Sequence, residues 1–476
     1  MPERRFILDN FVYRIVEAFG IRAIHVVISI VLARLLIPEN YGVVAIASMI
    51  ITILTSLVQS SFNAPLVQKK ELSQIDLSSS LYMMLAIAGV LYSILFAMSP
   101  IIAHLYGMPD LTQVIRVLSL VLFLGSWNSI QMALIYRSLQ FRASMLINVV
   151  GIVVEGIVGI WMAYVGYGVW SLVFSQLVYY VTIGILYGLY NRWIPGLSFS
   201  IQSVKNIWKI GIPLCGAELL SIVSGNVYPM VVGLRYSKAE LGLFQKGITV
   251  PTTIVDGFVI ACSSVFFSIM SRVQDDYDKL RQLLRNGVAI TSYLIVPIAL
   301  GLFSISSDLV TVFLGKNWLE TIPLMQFSCL SLSLYPLRIR AQAIKAIGKA
   351  KQSFVISVAY SVATIGLLLG FVFVSLNAVI FSMFLAELVS AVATGIYINK
   401  NFGYSLYDQM KDVGSSYVLG ILMAVFVLHL GKVFPEISLL SFLIKVLAGM
   451  VFYILMSLIF KPKPMELILS YLKTRY

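Results

Sequence analysis

The sequence predicts an all-α integral membrane protein with about fourteen transmembrane helices, arranged as two parallel six-helix bundles followed by two further helices. Three observations predict this fold class. Apolar runs of membrane-spanning length fill the chain, basic residues fall mainly on one side of them, and the second half echoes the first. Of the 476 residues, 59% are hydrophobic and only 12% are charged, whereas soluble domains are about 25% charged.

The apolar runs define the predicted helices. A helix that crosses the hydrocarbon core, about 30 Å thick, needs roughly 20 apolar residues. The segments between the runs are too short to fold as a soluble domain. The predicted spans are residues 15–36, 41–62, 80–104, 113–136, 144–167, 169–190, 207–234, 248–270, 287–313, 319–337, 353–374, 377–399, 413–431 and 438–460.

The basic residues set the predicted orientation. With the N-terminus in the cytoplasm, most of the 34 Lys and Arg residues fall in the terminal tails and the inner loops. The basic residues on the outer side are Arg34, Arg235, Lys238, Lys246, Lys316 and Lys432, and those within spans are Arg22, Arg116 and Lys445. This bias follows the positive-inside rule. The net charge of +13 therefore indicates topology and not nucleic-acid binding, and both termini are predicted to be cytoplasmic in a bacterial inner membrane. The first span is expected to act as an uncleaved signal anchor, because charged residues interrupt any early apolar core.

Two sequence echoes indicate an internal duplication. The run Ala33 to Gly42 resembles Leu234 to Gly242, and Leu105-Tyr106-Gly107 resembles Phe313-Leu314-Gly315, each at an offset of about 200 residues. An even number of spans separates the copies, so the halves are predicted to be parallel repeats, an arrangement found in transporters with sites between the halves. The predicted domains are residues 1–192, 193–400 and 401–476, with residues 191–206 as the linker between halves.

Ionisable residues within predicted spans are candidate functional residues, because a charge in a bilayer is expensive. On the first helix, Arg14, Arg22, His25 and Ser29 share one face at 100° per residue. Arg22 either lines a cavity or pairs with an acidic group on another helix. The acidic candidates are Glu155, Glu218, Asp256 and Glu387, which either couple transport to an ion or pair with buried arginines. Arg34, Arg235 and Lys246 flank outer junctions, where they either attract an anion or snorkel to the interface.

Prolines and glycines concentrate in particular spans. The seventh span carries Gly211, Pro213 and Gly216, and a later one carries Pro323 and Pro336. Proline removes a backbone hydrogen bond, and the freed carbonyls need protein or water partners inside a membrane. These spans are therefore predicted to be broken helices that line a cavity, with simple packing kinks as the alternative.

No pattern for bond chemistry is present in the sequence. It has no phosphate-binding loop of the G-x-x-x-x-G-K-[ST] type, the three cysteines have no CxxC spacing, and His25, His104 and His429 are far apart. We therefore predict no catalytic residues, no metal and no cofactor. A membrane-embedded polysaccharide polymerase or ligase is the enzyme alternative, but the predicted outer loops are short.

Several motifs resemble those of a known family. They are Val31 to Gly42, Leu66 to Ser73, Pro109-Asp110-Leu111, Gln274-Asp275-Asp276 with Lys279-Leu280-Arg281, and Phe313 to Trp318 followed by Ile322-Pro323. In order and spacing they are similar to bacterial polysaccharide-repeat (Wzx-type) flippases of the multidrug/oligosaccharidyl-lipid/polysaccharide exporter superfamily, in the colanic-acid and teichuronic-acid translocase branch. The resemblance covers roughly residues 15–400. One departure is Ile37, where many relatives have glycine, so the usual glycine cap of the helix is in doubt.

The resemblance implies a MATE-like fold and a function. It implies outward translocation of an undecaprenyl-diphosphate-linked oligosaccharide for O-antigen, capsule or exopolysaccharide synthesis, by alternating access between two six-helix bundles. Lipid II flippases of the superfamily use cavity arginines, including on the first helix. When the sequences are aligned on the shared Ala33-Arg34 end of that helix, Arg22 falls at such a position. The implied partners are the lipid-linked glycan and membrane lipids, with a polysaccharide polymerase and a chain-length regulator as protein partners, and a monomer is favoured. A drug/cation antiporter on the same fold is the alternative, which Arg22 argues against.

Overall fold

The regular structure of the described residues is entirely helical. The computed structural model describes Gly20, Arg22 and residues 24–69 and 71–473. The helices before the middle of the chain are α1 (Ile24–Leu35), α2 (Pro38–Gln68), α3 (Gln74–Leu105), α4 (Leu111–Leu118), α5 (Val121–Arg137), α6 (Phe141–Val165), α7 (Val169–Asn191), α8 (Ile201–Arg235) and α9 (Lys238–Ser271). The later helices are α10 (Tyr277–Leu309), α11 (Thr321–Ser333), α12 (Ile339–Ala346), α13 (Ala350–Phe371), α14 (Leu376–Phe402), α15 (Leu406–Val433), α16 (Leu439–Phe460) and α17 (Lys463–Lys473).

The predicted all-α membrane fold is confirmed. Within the described residues, 11 helical stretches are long and apolar enough to cross a membrane. Three of the predicted spans are not among them. The first extends beyond the described residues and leaves only α1, the seventh falls on α8, and the span at 319–337 is broken into α11 and a 3₁₀ turn, Tyr335–Arg338. The count of fourteen therefore stays a prediction.

Helix ends follow local sequence signals. Ser73 and Asp76 form a reciprocal capping box at the start of α3. Gly166 and Gly403 end α6 and α14 in the left-handed conformation, which glycine adopts at little cost. Ile37 is extended, with φ −94° and ψ 159°, and Pro38 begins α2 directly after it. The junction between α1 and α2 therefore needs no left-handed residue, and isoleucine fits it without strain.

The chain forms two compact units, one ending at Gln245 and the other beginning at Lys246. In the first unit, α2 packs along α8, α6 packs on α7, and α5 lies against α2, α3 and α7. In the second unit, α13 packs on α14, and α10 contacts α11, α15, α16 and α17. The pairs α6–α7 and α13–α14 occupy matching places in the predicted repeats, and α15 to α17 follow the second copy. The predicted domain limits at 192 and 400 stay a prediction.

Candidate functional site

Helix α1 positions Arg22 through its contact with α6. A Cβ added at Gly156 of α6 would lie 2.4 Å from Cδ1 of Ile28, and one added at Gly159 would lie 3.7 Å from Leu32, so α1 and α6 approach closely at these glycines. Arg22 is half-buried. Its Nη1 is buried and makes no hydrogen bond within the part of the chain that the structure describes. A buried guanidinium nitrogen without an acceptor is costly, so Arg22 suits an anionic ligand.

The other predicted members of the Arg22 face are only partly described. His25 is exposed on α1, and Ser29 is half-buried on the same helix. Arg14 and Glu17 lie outside the described residues. The face therefore contributes one buried cationic nitrogen, that of Arg22, within the described residues of α1.

The two helix junctions that carry Arg34 and Arg235 cross each other in the first unit. A Cβ added at Gly42 would lie 1.9 Å from the carbonyl oxygen of Lys238, and one added at Gly242 would lie 1.9 Å from that of Pro38. The first turn of α2 thus lies against the first turn of α9 at reciprocal positions. Arg34 and Arg235 precede these turns, and both are exposed.

Lys238 and Lys246 take different environments on α9. Lys238 forms an exposed ion pair with Asp110 across 3.6 Å. Lys246, one of the predicted substrate contacts, is only 5% exposed. It belongs to the second unit.

Glu155 lies half-buried on α6 and faces tyrosines of α7. It interacts electrostatically with Tyr179 and Tyr180. No hydrogen bond or ion pair holds its carboxylate among the described residues. Beside it, the hydroxyl of Tyr179 donates to Asn148 over 3.0 Å. The first unit therefore contains a polar cluster between α6 and α7 that includes an unpaired carboxyl group.

Glu387 lies in the matching place between α13 and α14, but it is paired. Arg338 donates to both of its carboxylate oxygens, and the hydroxyl of Tyr360 donates to Oε1 over 2.7 Å. The guanidinium of Arg338 stacks on the ring of Tyr335, 3.6 Å from its centroid. Asp256 of α9 is near enough to Tyr335 to interact with it electrostatically. Of the predicted acidic residues, Glu387 thus has a cationic partner and Glu218 is exposed on α8.

Sequence reasoning missed Arg338. The sequence predicts it in an inner loop, whereas the structure places it in the 3₁₀ turn after α11, directly beside Glu387. The proline at position 336 was the available signal, because a broken helix exposes backbone and side chains to the protein interior.

The charged stretch at 274–281 is a helix start. The Asp276 side chain caps α10 and forms an exposed ion pair with Lys279 across 2.8 Å. The hydrogen bond from the Lys279 side chain holds the pKa of Asp276 below its usual value. Both side chains of this pair are exposed. No group of three or more potential metal ligands occurs among the described residues.

The chain matches a known family and several named proteins. Residues 31–323 match the model of a family described as polysaccharide biosynthesis protein. The succinoglycan biosynthesis transport protein ExoT of Rhizobium meliloti (strain 1021) is 26% identical over 359 residues, 73% of this chain and 70% of that protein. The lipopolysaccharide biosynthesis protein WzxC of Escherichia coli (strain K12) is 24% identical, and the match covers 63% of this chain and 61% of the length of WzxC. The teichuronic acid biosynthesis protein TuaB of Bacillus subtilis (strain 168) is 22% identical over 56% and 55%, respectively.

Solved structures share the fold. The lipid II flippase MurJ in an inward closed conformation has a TM-score of 0.78 at 18% identity. The match covers 94% of this chain and 98% of the MurJ chain. An inward-facing multidrug resistance MATE transporter has a TM-score of 0.65 at 14% identity, covering 82% of this chain and 98% of its own. The MATE-like architecture predicted from the sequence is therefore confirmed.

Proposed function

Because this chain belongs to the family of polysaccharide biosynthesis proteins, we propose that it is a flippase for undecaprenyl-diphosphate-linked oligosaccharides. It moves repeat units outward across the cytoplasmic membrane of a bacterium for surface polysaccharide synthesis. The family resemblance predicted from the motifs is confirmed by the family match and by relatives named for polysaccharide transport and biosynthesis. The observation that carries the proposal is this match together with the buried Nη1 of Arg22, which has no hydrogen-bond partner among the described residues.

The chemistry of such a substrate explains what the protein must supply. Burying an unpaired charge in hydrocarbon costs many kcal/mol, so a pyrophosphate and its sugars do not cross unaided. The polyprenyl chain is apolar and can stay in the lipid. The protein therefore needs cationic and polar groups along one path, with an opening toward the bilayer, and alternating access between the two halves provides it.

We assign the pyrophosphate to Arg22. Its charge and its unsatisfied donor match a phosphate oxygen, since charge-assisted hydrogen bonds are the strong ones. His25, Arg34, Arg235 and Lys246 complete the proposed cationic path. The crossing of the first turns of α2 and α9 brings the segments that follow Arg34 and Arg235 together, which supports a shared role at the outer end.

The carboxylates are proposed to serve coupling or charge pairing. Glu155 has the environment of a coupling group, because no cation is paired with it among the described residues. Glu387 has the environment of a pairing group, because Arg338 holds it. Asp256 and Glu218 are further candidates for either role.

The remaining features of the proposal concern the whole protein. The termini lie in the cytoplasm, and the transport domains are residues 1–192 and 193–400, with residues 401–476 added. The expected protein partners are a polymerase and a chain-length regulator, and the expected form is a monomer. The proposed activity is transport without bond chemistry.

The test is an Arg22→Ala strain with Arg22→Lys as the matched control. After membrane levels are equalised, surface polymer is measured, and the leaflet that holds the polyprenyl-linked repeat unit is determined. We expect loss of polymer with the repeat unit trapped on the cytoplasmic leaflet, and partial rescue by lysine. Full polymer in Arg22→Ala would reject Arg22 as the anchor. A repeat unit that reaches the outer leaflet unpolymerised would point to the polymerase alternative.

A further inference from the structure

Arg338 has an unusual environment for an ion-paired arginine in a membrane protein. Its Nε and Nη2 both donate to the Glu387 carboxylate, which is 7% exposed, while the Arg338 side chain itself is 43% exposed. The side chain of Tyr335 also bonds to the guanidinium, and no other acceptor contacts Nη1 among the described residues. One edge of the guanidinium is thus fixed by Glu387, and the other edge keeps N–H donor capacity at Nη1.

The depth of this pair in the membrane decides what the free edge can face. Glu387 is the twelfth residue of α14, a helix of 27 residues, and lies about 17 Å from its start at 1.5 Å per residue. This position is close to the middle of a hydrocarbon core about 30 Å thick. An arginine exposed to lipid at such a depth is costly. The free edge of Arg338 therefore faces water or a polar ligand within the protein.

Three neighbouring groups hold the guanidinium in one orientation. Tyr335 lies under its plane, Glu387 binds its edge, and Tyr360 donates to Glu387. A planar, fixed guanidinium presents its remaining donors in the geometry that phosphate and carboxylate oxygens accept. This arrangement holds an arginine ready for a ligand at no further ordering cost.

Arg340, two residues later, is the opposite case. It is 3% exposed. Its Nε donates to the Leu337 carbonyl over 2.9 Å, and its other nitrogens donate to Gln409 and to the Ala391 carbonyl. All three of its nitrogens are therefore committed to structure. The contrast shows that nearby Arg340, at the start of α12, has no donor edge like that of Arg338.

We propose that Arg338 is a second anion-binding residue of the translocation path, in addition to Arg22, and that it takes an acidic group of the lipid-linked glycan. This inference rests on the proposed function. The ligand chemistry is a phosphate or carboxylate oxygen, which comes either from the pyrophosphate or from an acidic sugar. Glu387 positions Arg338 and partly neutralises its positive charge. The site therefore holds an anion weakly enough to bind and release one in each transport cycle.

The experiment measures binding by the full-length protein in lipid nanodiscs. The probes are undecaprenyl diphosphate, the neutral lipid undecaprenol and a lipid-free glucuronate oligosaccharide. We expect Arg338→Gln to weaken binding of an anionic probe by about tenfold or more, the loss typical of a charge-assisted hydrogen bond. Undecaprenol binding is expected to be unchanged. Weaker undecaprenyl diphosphate binding identifies the pyrophosphate as the source, and weaker oligosaccharide binding identifies an acidic sugar.

Two further variants separate binding from folding. Glu387→Gln removes the competing negative charge and keeps a hydrogen-bond acceptor, so it should strengthen anion binding while Arg338→Gln weakens it. Arg340→Gln is the matched control and should lower thermal stability without changing the affinity of the folded protein. Equal anion affinity in Arg338→Gln and wild type, or equal weakening by Arg338→Gln and Glu387→Gln, overturns the proposal. If wild type neither binds nor translocates any lipid-linked anion, the proposed function itself fails.

Discussion

At the scale of single residues, the clearest structural charge pair joins α10 and α16. Lys445 Nζ lies 2.6 Å from Asp308 Oδ1, and both side chains are 5% exposed. Burial makes each charge dependent on the other, because an unpaired ion in this environment costs far more than a pair. The pair ties α16, which follows the two predicted repeats, to α10 of the second predicted repeat.

The first prediction concerns this pair. Lys445→Met should lower the free energy of unfolding by about 3–5 kcal/mol, because it leaves the Asp308 carboxylate buried alone. The double variant Lys445→Met with Asp308→Asn should recover most of this loss. Thermal unfolding in detergent, analysed as a double-mutant cycle, measures both effects. Additive losses in the double variant would contradict the pairing.

The sequence identified buried charges well and their partners poorly. Lys445 and Arg116 were assigned to spans from hydropathy alone, and the structure pairs them with Asp308 and Ser99, respectively. Glu387 was a candidate from the sequence, but Arg338 was not. Lys445 and Asp308 are 137 residues apart in the sequence, and Arg338 and Glu387 are 49 residues apart. Local patterns report on the cost of a charge, whereas only tertiary packing decides which groups compensate it.

At the scale of elements, glycines set how closely the helices pack. Gly42 and Gly242 belong to the sequence echo between the halves, and each lies against the backbone at the start of the other helix. The sequence predicted the echo but not the contact, because a repeat does not say where its copies meet. The reciprocal contact shows that these two glycines are needed for the crossing of α2 and α9.

The second prediction tests this crossing. Gly42→Ala should destabilise the protein by about 1–3 kcal/mol, the usual cost of forcing an extra methyl into a packed site. Gly216→Ala on α8 is the control, since a Cβ there meets nothing within 4 Å among the described residues, and it should be neutral or slightly stabilising. Thermal unfolding of both variants provides the measurement. A Gly42→Ala protein as stable as the control would show that the crossing opens without cost.

The connector after α7 is a second element with a definite attachment. Gly196 accepts from Tyr82 and donates to Ser78, both over 2.9 Å, and Ser200 donates to Ser79 over 2.9 Å. The linker that the sequence predicted between the halves is thus fastened to the first turns of α3. Its position between the two predicted repeats predicts a linker here, but no sequence pattern predicts that the serines of α3 bind it.

The third prediction concerns this fastening. Tyr82→Phe combined with Ser78→Ala should raise tryptic cleavage at Arg192 about thirtyfold, because each of the two lost hydrogen bonds is worth about 1 kcal/mol against local opening. Cleavage is followed in inverted membrane vesicles. Ser93→Ala is the control, since among the described residues the Ser93 hydroxyl bonds to Gly89 of its own helix. Unchanged cleavage would mean that packing, not these bonds, holds the connector.

At the scale of the whole molecule, the sequence predicted the class of architecture because hydropathy acts over whole helices. The helix ends were less predictable, since α3 and α10 extend several residues beyond their apolar runs into capped polar turns. The span at 319–337 is predicted as one helix, whereas α11 ends at Ser333 and Pro336 lies in the 3₁₀ turn Tyr335–Arg338 that follows it. The environment of Arg338 in this turn depends on its contact with Glu387 of α14, which no local pattern contains.

The last prediction follows from moving a charged substrate across a membrane. A pyrophosphate that links a lipid to a sugar carries two negative charges, and a potential of 100 mV acts on each with about 2.3 kcal/mol. In proteoliposomes, a potassium gradient with valinomycin sets the sign of the potential. Translocation away from the negative side should be faster than in the reverse polarity, and Arg22→Ala should abolish transport in both.

The steepness of this response distinguishes transport without coupling from coupled transport. If the translocation rate depends on the membrane potential as expected for the movement of two elementary charges, the anion moves alone. No response would contradict movement of an unescorted pyrophosphate, because a compensating cation must then travel with it. A response steeper than two charges requires a cation moving in the opposite direction. In that case Glu155 is the first residue to replace with glutamine, since no cation is paired with it among the described residues, whereas Glu387 is already held by Arg338.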